Sequence, residues 1–107
     1  MRKFQQPRRE IHSLEGQVLV VNIQVQANKL SLSQKSVIRR GFQAGLSENQ
    51  IATYTNSRFT AKQMEQIRLA ILNGLTPSEI RVIADPLVHA DEMKRLRLVY
   101  ASRKQDQ

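Results

Sequence analysis

Ile38-Arg39, then Gly45-Leu46-Ser47, then Ile51 is matched 29 residues later by Ile67-Arg68, Gly74-Leu75-Thr76 and Ile80. A shorter third copy opens at Met93, since Met93, Leu96 and Arg97 follow Met64, Ile67 and Arg68 by the same interval. A fixed period of this size means one supersecondary unit stacked on copies of itself. Most matched positions read as helix ends or buried apolar residues, so the echo specifies a scaffold. The Arg at Arg39, Arg68 and Arg97 is the one repeated residue free to carry function.

Working outward from the echo, Ser33 reads as the cap of a helix over 34–44 with Val37, Ile38, Gly41 and Phe42 on its apolar face. Gly45 stands where a helix end takes a residue at positive φ, and Leu46 follows where the accompanying apolar contact falls. Ser47 with Gln50 spells a capping box for a short helix that buries Ile51, Ala52 and Tyr54. Thr60 with Gln63 repeats the box before a longer helix, 61–73, whose face is Met64, Ile67, Ala70 and Ile71. Gly74 closes it. Thr76, Pro77 and Glu79 then start a second short helix with Ile80 and Ile83 inward, and Asp85-Pro86 stops it. A last helix over 90–102 presents Met93, Leu96 and Tyr100, with Arg97 and Leu98 beside them. The fold class is therefore mainly α: a compact bundle of helical-hairpin repeats over 33–104, long and short helices alternating, within one domain spanning 1–107.

The N-terminal part is different. Residues 1–12 form a basic arm in which Arg2, Lys3, Arg8 and Arg9 surround Pro7 without a periodic apolar face. In residues 17–27, Leu19, Val21, Ile23, Val25 and Ala27 alternate as in a single N-terminal β-strand, which would have to pair across a homodimer or with another protein. Leu14, Val18, Val21 and Val25 also fall at helical spacing, with Ser13 as cap, so a capping helix over the first unit fits the same residues. Both readings stay open.

Composition limits the function classes. Lys and Arg number 17 against 9 Asp and Glu, giving +8 on 107 residues, which suits a polyanionic partner. There is no Cys, so disulfides and thiolate metal sites are excluded, and a reducing, cytoplasmic setting is expected. The longest apolar run, Val18 to Val21, is far too short for a bilayer span, so no membrane partner is expected. His12 and His89 each lack a second ligand at helical spacing, Asp91 lying two residues from His89 and off its face. Asp91-Glu92 reads as acid at a helix N-terminus, the Ser residues fall at caps, and the Gly residues form no phosphate loop. The chain is expected not to be an enzyme and to need no cofactor. The candidate binding residues are Arg39, Arg40, Arg68, Lys94, Arg95 and Arg97, with Arg2, Lys3, Arg8 and Arg9 of the arm. Few aromatics interleave them, so contact with a phosphate backbone is expected rather than base stacking.

Two resemblances follow from these residues. Gly45 to Ala52, read as Gly-Leu-Ser-Glu-Asn-Gln-Ile-Ala, resembles the opening of a helix-turn-helix in transcription regulators, which implies DNA binding by the next helix. The apolar turn residue of that motif falls on Ser57, where the match departs. Phe59, Gln63-Met64, Ile67-Arg68, Gly74-Leu75, Ile83-Ala84-Asp85-Pro86, Met93 and Leu96-Arg97 are similar to tandem helical repeats in accessory proteins of Gram-positive mobile elements. The first unit departs from that pattern with Lys35 in place of Met. Small non-enzymatic proteins of that setting include anti-CRISPR inhibitors. The resemblance thus implies a host nuclease ribonucleoprotein, or its guide RNA, as partner; a DNA-binding accessory factor is the alternative.

Overall fold

The computed structural model describes residues 29–105. The basic arm, His12 and the strand-or-helix segment 17–27, with the homodimer built on it, lie outside the described residues. Five helices follow one another: α1 Leu32–Gln43, α2 Glu48–Tyr54, α3 Ala61–Leu72, α4 Pro77–Ile83 and α5 Ala90–Gln105. Long and short alternate as expected. Helix α3 is the hub, packing against the long helices α1 and α5 and against both short ones.

Local chemistry sets each boundary. Four capping boxes are made in full, from Ser31 to Gln34, Ser47 to Gln50, Thr60 to Gln63 and Thr76 to Glu79, each supporting its helix start by about 1 kcal/mol. The first corrects the sequence reading. Ser31 and not Ser33 is the cap of α1, because only Ser31 has a Gln three residues on; the helix begins two residues earlier than expected and leaves Leu32 84% exposed at its first position. Gly45 and Gly74 adopt φ of 86° and 80°. The amides of Leu46 and Leu75 then donate back to the carbonyls of Gly41 and Ala70, at 3.0 and 3.2 Å, closing both long helices with the same motif.

The short helices end alike too. Asn56 Oδ1 accepts from the amide of Arg58 and Asp85 Oδ1 from that of Leu87, both at 2.9 Å, so the turn is built by an Asx side chain with or without the proline. Each turn leads into an apolar residue, Phe59 or Val88, and then the next long helix.

The units are joined by one recurring bond. Gln34 and Gln63, besides closing their capping boxes through Oε1, use Nε2 to donate to the carbonyl that ends the following turn. Gln34 reaches the Phe59 carbonyl at 2.6 Å, and Gln63 the Val88 carbonyl at 2.8 Å and the Pro86 carbonyl at 2.9 Å. One side chain thus fixes both its own helix start and the start of the next unit's long helix. At the corresponding place in α5 stands Glu92, whose carboxylate instead accepts from Arg95.

Ile51, Tyr54, Met64, Ile67, Ile83 and Met93 are fully buried at the centre, joined by Val37, Ile38, Phe59, Ala70, Ile71, Leu75 and Ile80. Fully burying a large apolar side chain is worth about 1.5–3 kcal/mol, so this cluster holds the units together. Phe42 departs from expectation: it is 47% exposed, whereas Ile71 at the same repeat position is 8% exposed. The difference arises because α3 lies beside α1, while no described helix precedes α1.

Gly41 and Tyr54 form a matched pair within this core. The Tyr54 ring occupies the space that a side chain on residue 41 would need: a Cβ there would stand 2.0 Å from the Tyr54 hydroxyl oxygen. That hydroxyl donates to the Val37 carbonyl at 3.4 Å. Twenty-nine residues on, the same two places hold Ala70 and Ile83, a larger residue facing a smaller one.

Candidate nucleic-acid interface

The repeated Arg does not form an outward row. Arg97 on α5 is 9% exposed and reaches back to α3, its Nε donating to Gln66 Oε1 at 3.0 Å and its Nη1 to Asn73 Oδ1 at 2.9 Å. The repeat position therefore faces the preceding long helix. For Arg68 the two corresponding places on α1 are Val37 and Ala44, which offer no side-chain acceptor. Arg68 turns instead to Glu65 on its own helix, through Nε at 3.0 Å and Nη2 at 2.6 Å. Arg39 is exposed on α1. Equal register gave the three residues equal azimuth, but that azimuth points between helices.

Glu65 gathers charge from two helices. Its carboxylate also lies 3.5 Å from Arg40 Nη1 across the α1–α3 contact. The Arg68 hydrogen bonds, opposed by partial burial and aided by the charges of Arg68, Arg40 and Arg97, hold the Glu65 carboxyl below the ordinary carboxylate range. Beneath this cluster, burial pushes the Tyr54 hydroxyl up to about 12, with Arg68 pulling it down, Glu65 raising it and Arg40 lowering it slightly.

A Tyr raised in the folded state stabilises the fold fully below its unfolded value of about 10, and that contribution is lost as pH rises through about 12. Absorbance of phenolate is expected to develop late for one of the two Tyr, and Tyr54→Phe is expected to remove that late step. The stability difference between wild type and Tyr54→Phe should shrink between about pH 10 and 12. Essentially complete phenolate formation by about pH 11.5 would contradict the burial of Tyr54.

An open groove of roughly 570 Å³ crosses the N-terminal ends of all three long helices. Leu32, Ser33, Ser36, Val37 and Arg40 line it from α1, Ala61, Lys62, Glu65 and Gln66 from α3, and Ala90 and Asp91 from α5. Three helix N-termini meet along one rim, each contributing partial positive charge. Arg40, with a side chain 48% exposed, and Lys62, also exposed, bring positive charge to the groove, set against the carboxylates of Glu65, which Arg40 and Arg68 engage, and of exposed Asp91. Hydroxyls of Ser33 and Ser36 and the amide of Gln66 can supply neutral donors.

Of the candidates read from sequence, Arg40 and Arg68 meet at Glu65, and Arg40 lines the groove. Lys94 is exposed on α5, outside the groove lining. Arg95 is held by Glu92 on its own helix. Further along α5, Arg103 lies 5.9 Å from the Tyr100 ring centre, and Lys104 pairs with Glu79 at 3.0 Å. Arg2, Lys3, Arg8 and Arg9 lie outside the described residues.

Lys62 was missed in the sequence, although a lysine in the first turn of a helix opposes the helix dipole and so carries a signal of its own. His89 serves at the start of α5, where Nδ1 accepts from the Asp91 amide at 3.3 Å. The Asp91 carboxylate lies 3.8 Å from the same nitrogen, beyond hydrogen-bond distance. Among the described residues no group of three or more His, Cys, Asp or Glu could hold a metal ion. No described helix is long and apolar enough to cross a membrane. Comparisons with protein-family models, curated proteins and solved structures give no match.

Proposed function

We propose that the protein is a non-enzymatic, cytoplasmic binding module of a mobile genetic element that engages nucleic-acid phosphates. On this reading it acts as an anti-CRISPR-type inhibitor, competing for the guide RNA of a host nuclease ribonucleoprotein. The observation that carries it is the groove, where Lys62 stands in the first turn of α3 and Arg40, from the last turn of α1, lines the same opening. Partial dipole charge at the helix starts and the cations Lys62 and Arg40 suit phosphate oxygens and read no base sequence, with Glu65 and Asp91 limiting the net charge of the opening. The alternative, a DNA-binding accessory or transcription factor, needs a free recognition helix. Helix α3 would fill that role, but it is flanked by α1 and α5, with Gln63, Met64, Ile67, Ala70 and Ile71 buried, and six residues separate it from α2.

The test uses the full chain with guide RNA and with duplex DNA over a range of salt. Lys62→Glu combined with Arg40→Gln is expected to weaken RNA binding at least tenfold and to make the salt dependence shallower by roughly two charges. The melting temperature should move little, since both side chains are exposed. Unchanged RNA binding in the double variant, or no effect of the wild type on cleavage or guide loading, would overturn the proposal. Tight, sequence-preferring duplex binding would favour the transcription-factor reading.

A further inference from the structure

Two of the repeated Arg residues each hold a side chain that lines the groove. Arg68 donates to both carboxylate oxygens of Glu65, and Arg97 donates through Nε to Gln66 Oε1 at 3.0 Å. Glu65 and Gln66 line the opening, whereas neither Arg does. The repeat position therefore stands one layer behind the groove.

Arg97 decides which end of the Gln66 amide is left for a ligand. A guanidinium carries donors and no acceptor, so only the carbonyl end of the amide can face it. Asn73 Oδ1 holds Nη1 of the same guanidinium at 2.9 Å, which fixes its plane and with it the direction of the Gln66 contact. The other end, Nε2, meets no acceptor among the described residues, and Gln66 is partly exposed. Gln66 follows Lys62 by four residues on α3, so the two side chains lie on one face a single turn apart. An ammonium and an amide NH2 are thus adjacent along the groove. Reversed, the amide would offer a second acceptor beside the Glu65 carboxylate and repel phosphate oxygens.

We infer that Gln66 Nε2 donates to a phosphate oxygen in the groove and that Arg97, bonded to the opposite end of the amide, is the positioning residue that turns this donor outward. This role rests on the groove binding phosphate. It adds to Lys62 and Arg40 a neutral donor whose direction is set from α5, and it gives the repeated Arg a part in binding without contact to the ligand. A neutral donor releases no counterion, so its loss weakens binding without changing the salt dependence, unlike the loss of Lys62 or Arg40.

The test uses the full chain with single-stranded oligouridylate as probe. Gln66→Met is expected to weaken binding roughly fivefold and Arg97→Met roughly threefold, both with the salt slope of the wild type. The double variant should bind no more weakly than Gln66→Met alone, since Arg97 acts only through that amide. A readout on the wild type needs neither methionine variant to fold: the Gln66 side-chain NH2 signals should shift on titration with the probe. They are identified by their loss in Gln66→Glu, which keeps an acceptor for Arg97. Additive losses in the double variant, a shallower salt slope in Arg97→Met, or NH2 signals unmoved at saturation would overturn the assignment. If Lys62→Glu with Arg40→Gln leaves binding unchanged, the groove fails and this role with it. If that variant weakens binding while Gln66→Met and Arg97→Met bind as wild type, the groove stands and the positioning role alone falls.

Discussion

Gly41→Ala is expected to destabilise the protein by about 2–3 kcal/mol, despite the roughly 1 kcal/mol that alanine contributes over glycine inside a helix. The added Cβ would stand 2.0 Å from the Tyr54 hydroxyl oxygen and 3.3 Å from Ile51 Cγ1. Tyr54 is fully buried at the end of α2 and cannot swing into solvent, so either the ring or α1 must shift. At roughly 4–8 °C per kcal/mol for a domain near this size, the melting temperature should fall by about 10 °C or more.

The compensating change separates this cause from a general dislike of substitution. Tyr54→Phe alone removes one hydrogen bond and should cost about 1 kcal/mol. Combined with Gly41→Ala it removes the clashing atom, so the double variant should be more stable than Gly41→Ala alone. Transplanting the second unit's pair, as Gly41→Ala with Tyr54→Ile, should likewise be tolerated better than the first substitution by itself. Strict additivity in a double-mutant cycle would show that the two side chains do not compete for the same space.

Arg97→Ala should cost about 3 kcal/mol, the second large effect. The guanidinium lies 9% exposed between α5 and α3 and makes two hydrogen bonds to neutral amides, Gln66 and Asn73. Truncation leaves both amides without this donor and opens a void beside the packed stem. Arg97→Lys should be nearly as damaging, because a single ammonium cannot reproduce the two-nitrogen geometry. Arg97→Met, which keeps the volume and removes the buried charge, should recover part of the loss. Thermal unfolding of the three variants alongside Lys62→Glu checks the assignment. A melting temperature as insensitive to residue 97 as to residue 62 would return Arg97 to the surface and to the list of binding residues.

What the sequence disclosed follows from the range of the forces involved. Capping boxes and glycine helix ends are signals four to six residues long, and Ser47, Thr60, Thr76, Gly45 and Gly74 were all legible. The same rule, applied to Gln34, selects Ser31 over Ser33. Burial of Met64, Ile67, Ala70, Ile71 and Ile83 was readable from spacing.

Facing direction was not. Register states that Arg39, Arg68 and Arg97 share an azimuth, but whether that azimuth meets water or a neighbouring helix depends on how units stack. Phe42 illustrates the same limit, since its exposure depends on what lies beside α1 and not on its own helix. The groove was invisible for a related reason: Ser33, Lys62 and Asp91 share one repeat position, but register alone does not say that three helix starts line one rim or that Arg40 reaches it.

The Gln34 and Gln63 bonds also carry a rule about growth. An amide can accept at its own helix start and donate forward at once, so each Gln leaves its unit ready to receive a successor. Glu92 has acceptors only, and both of its oxygens are occupied by Arg95. A tandem duplication placed after Val88 would inherit a working joint at both ends, whereas an extra copy added beyond α5 would meet a carboxylate where a donor is needed. Glu92 thus lacks the donor with which Gln34 and Gln63 make their forward joints.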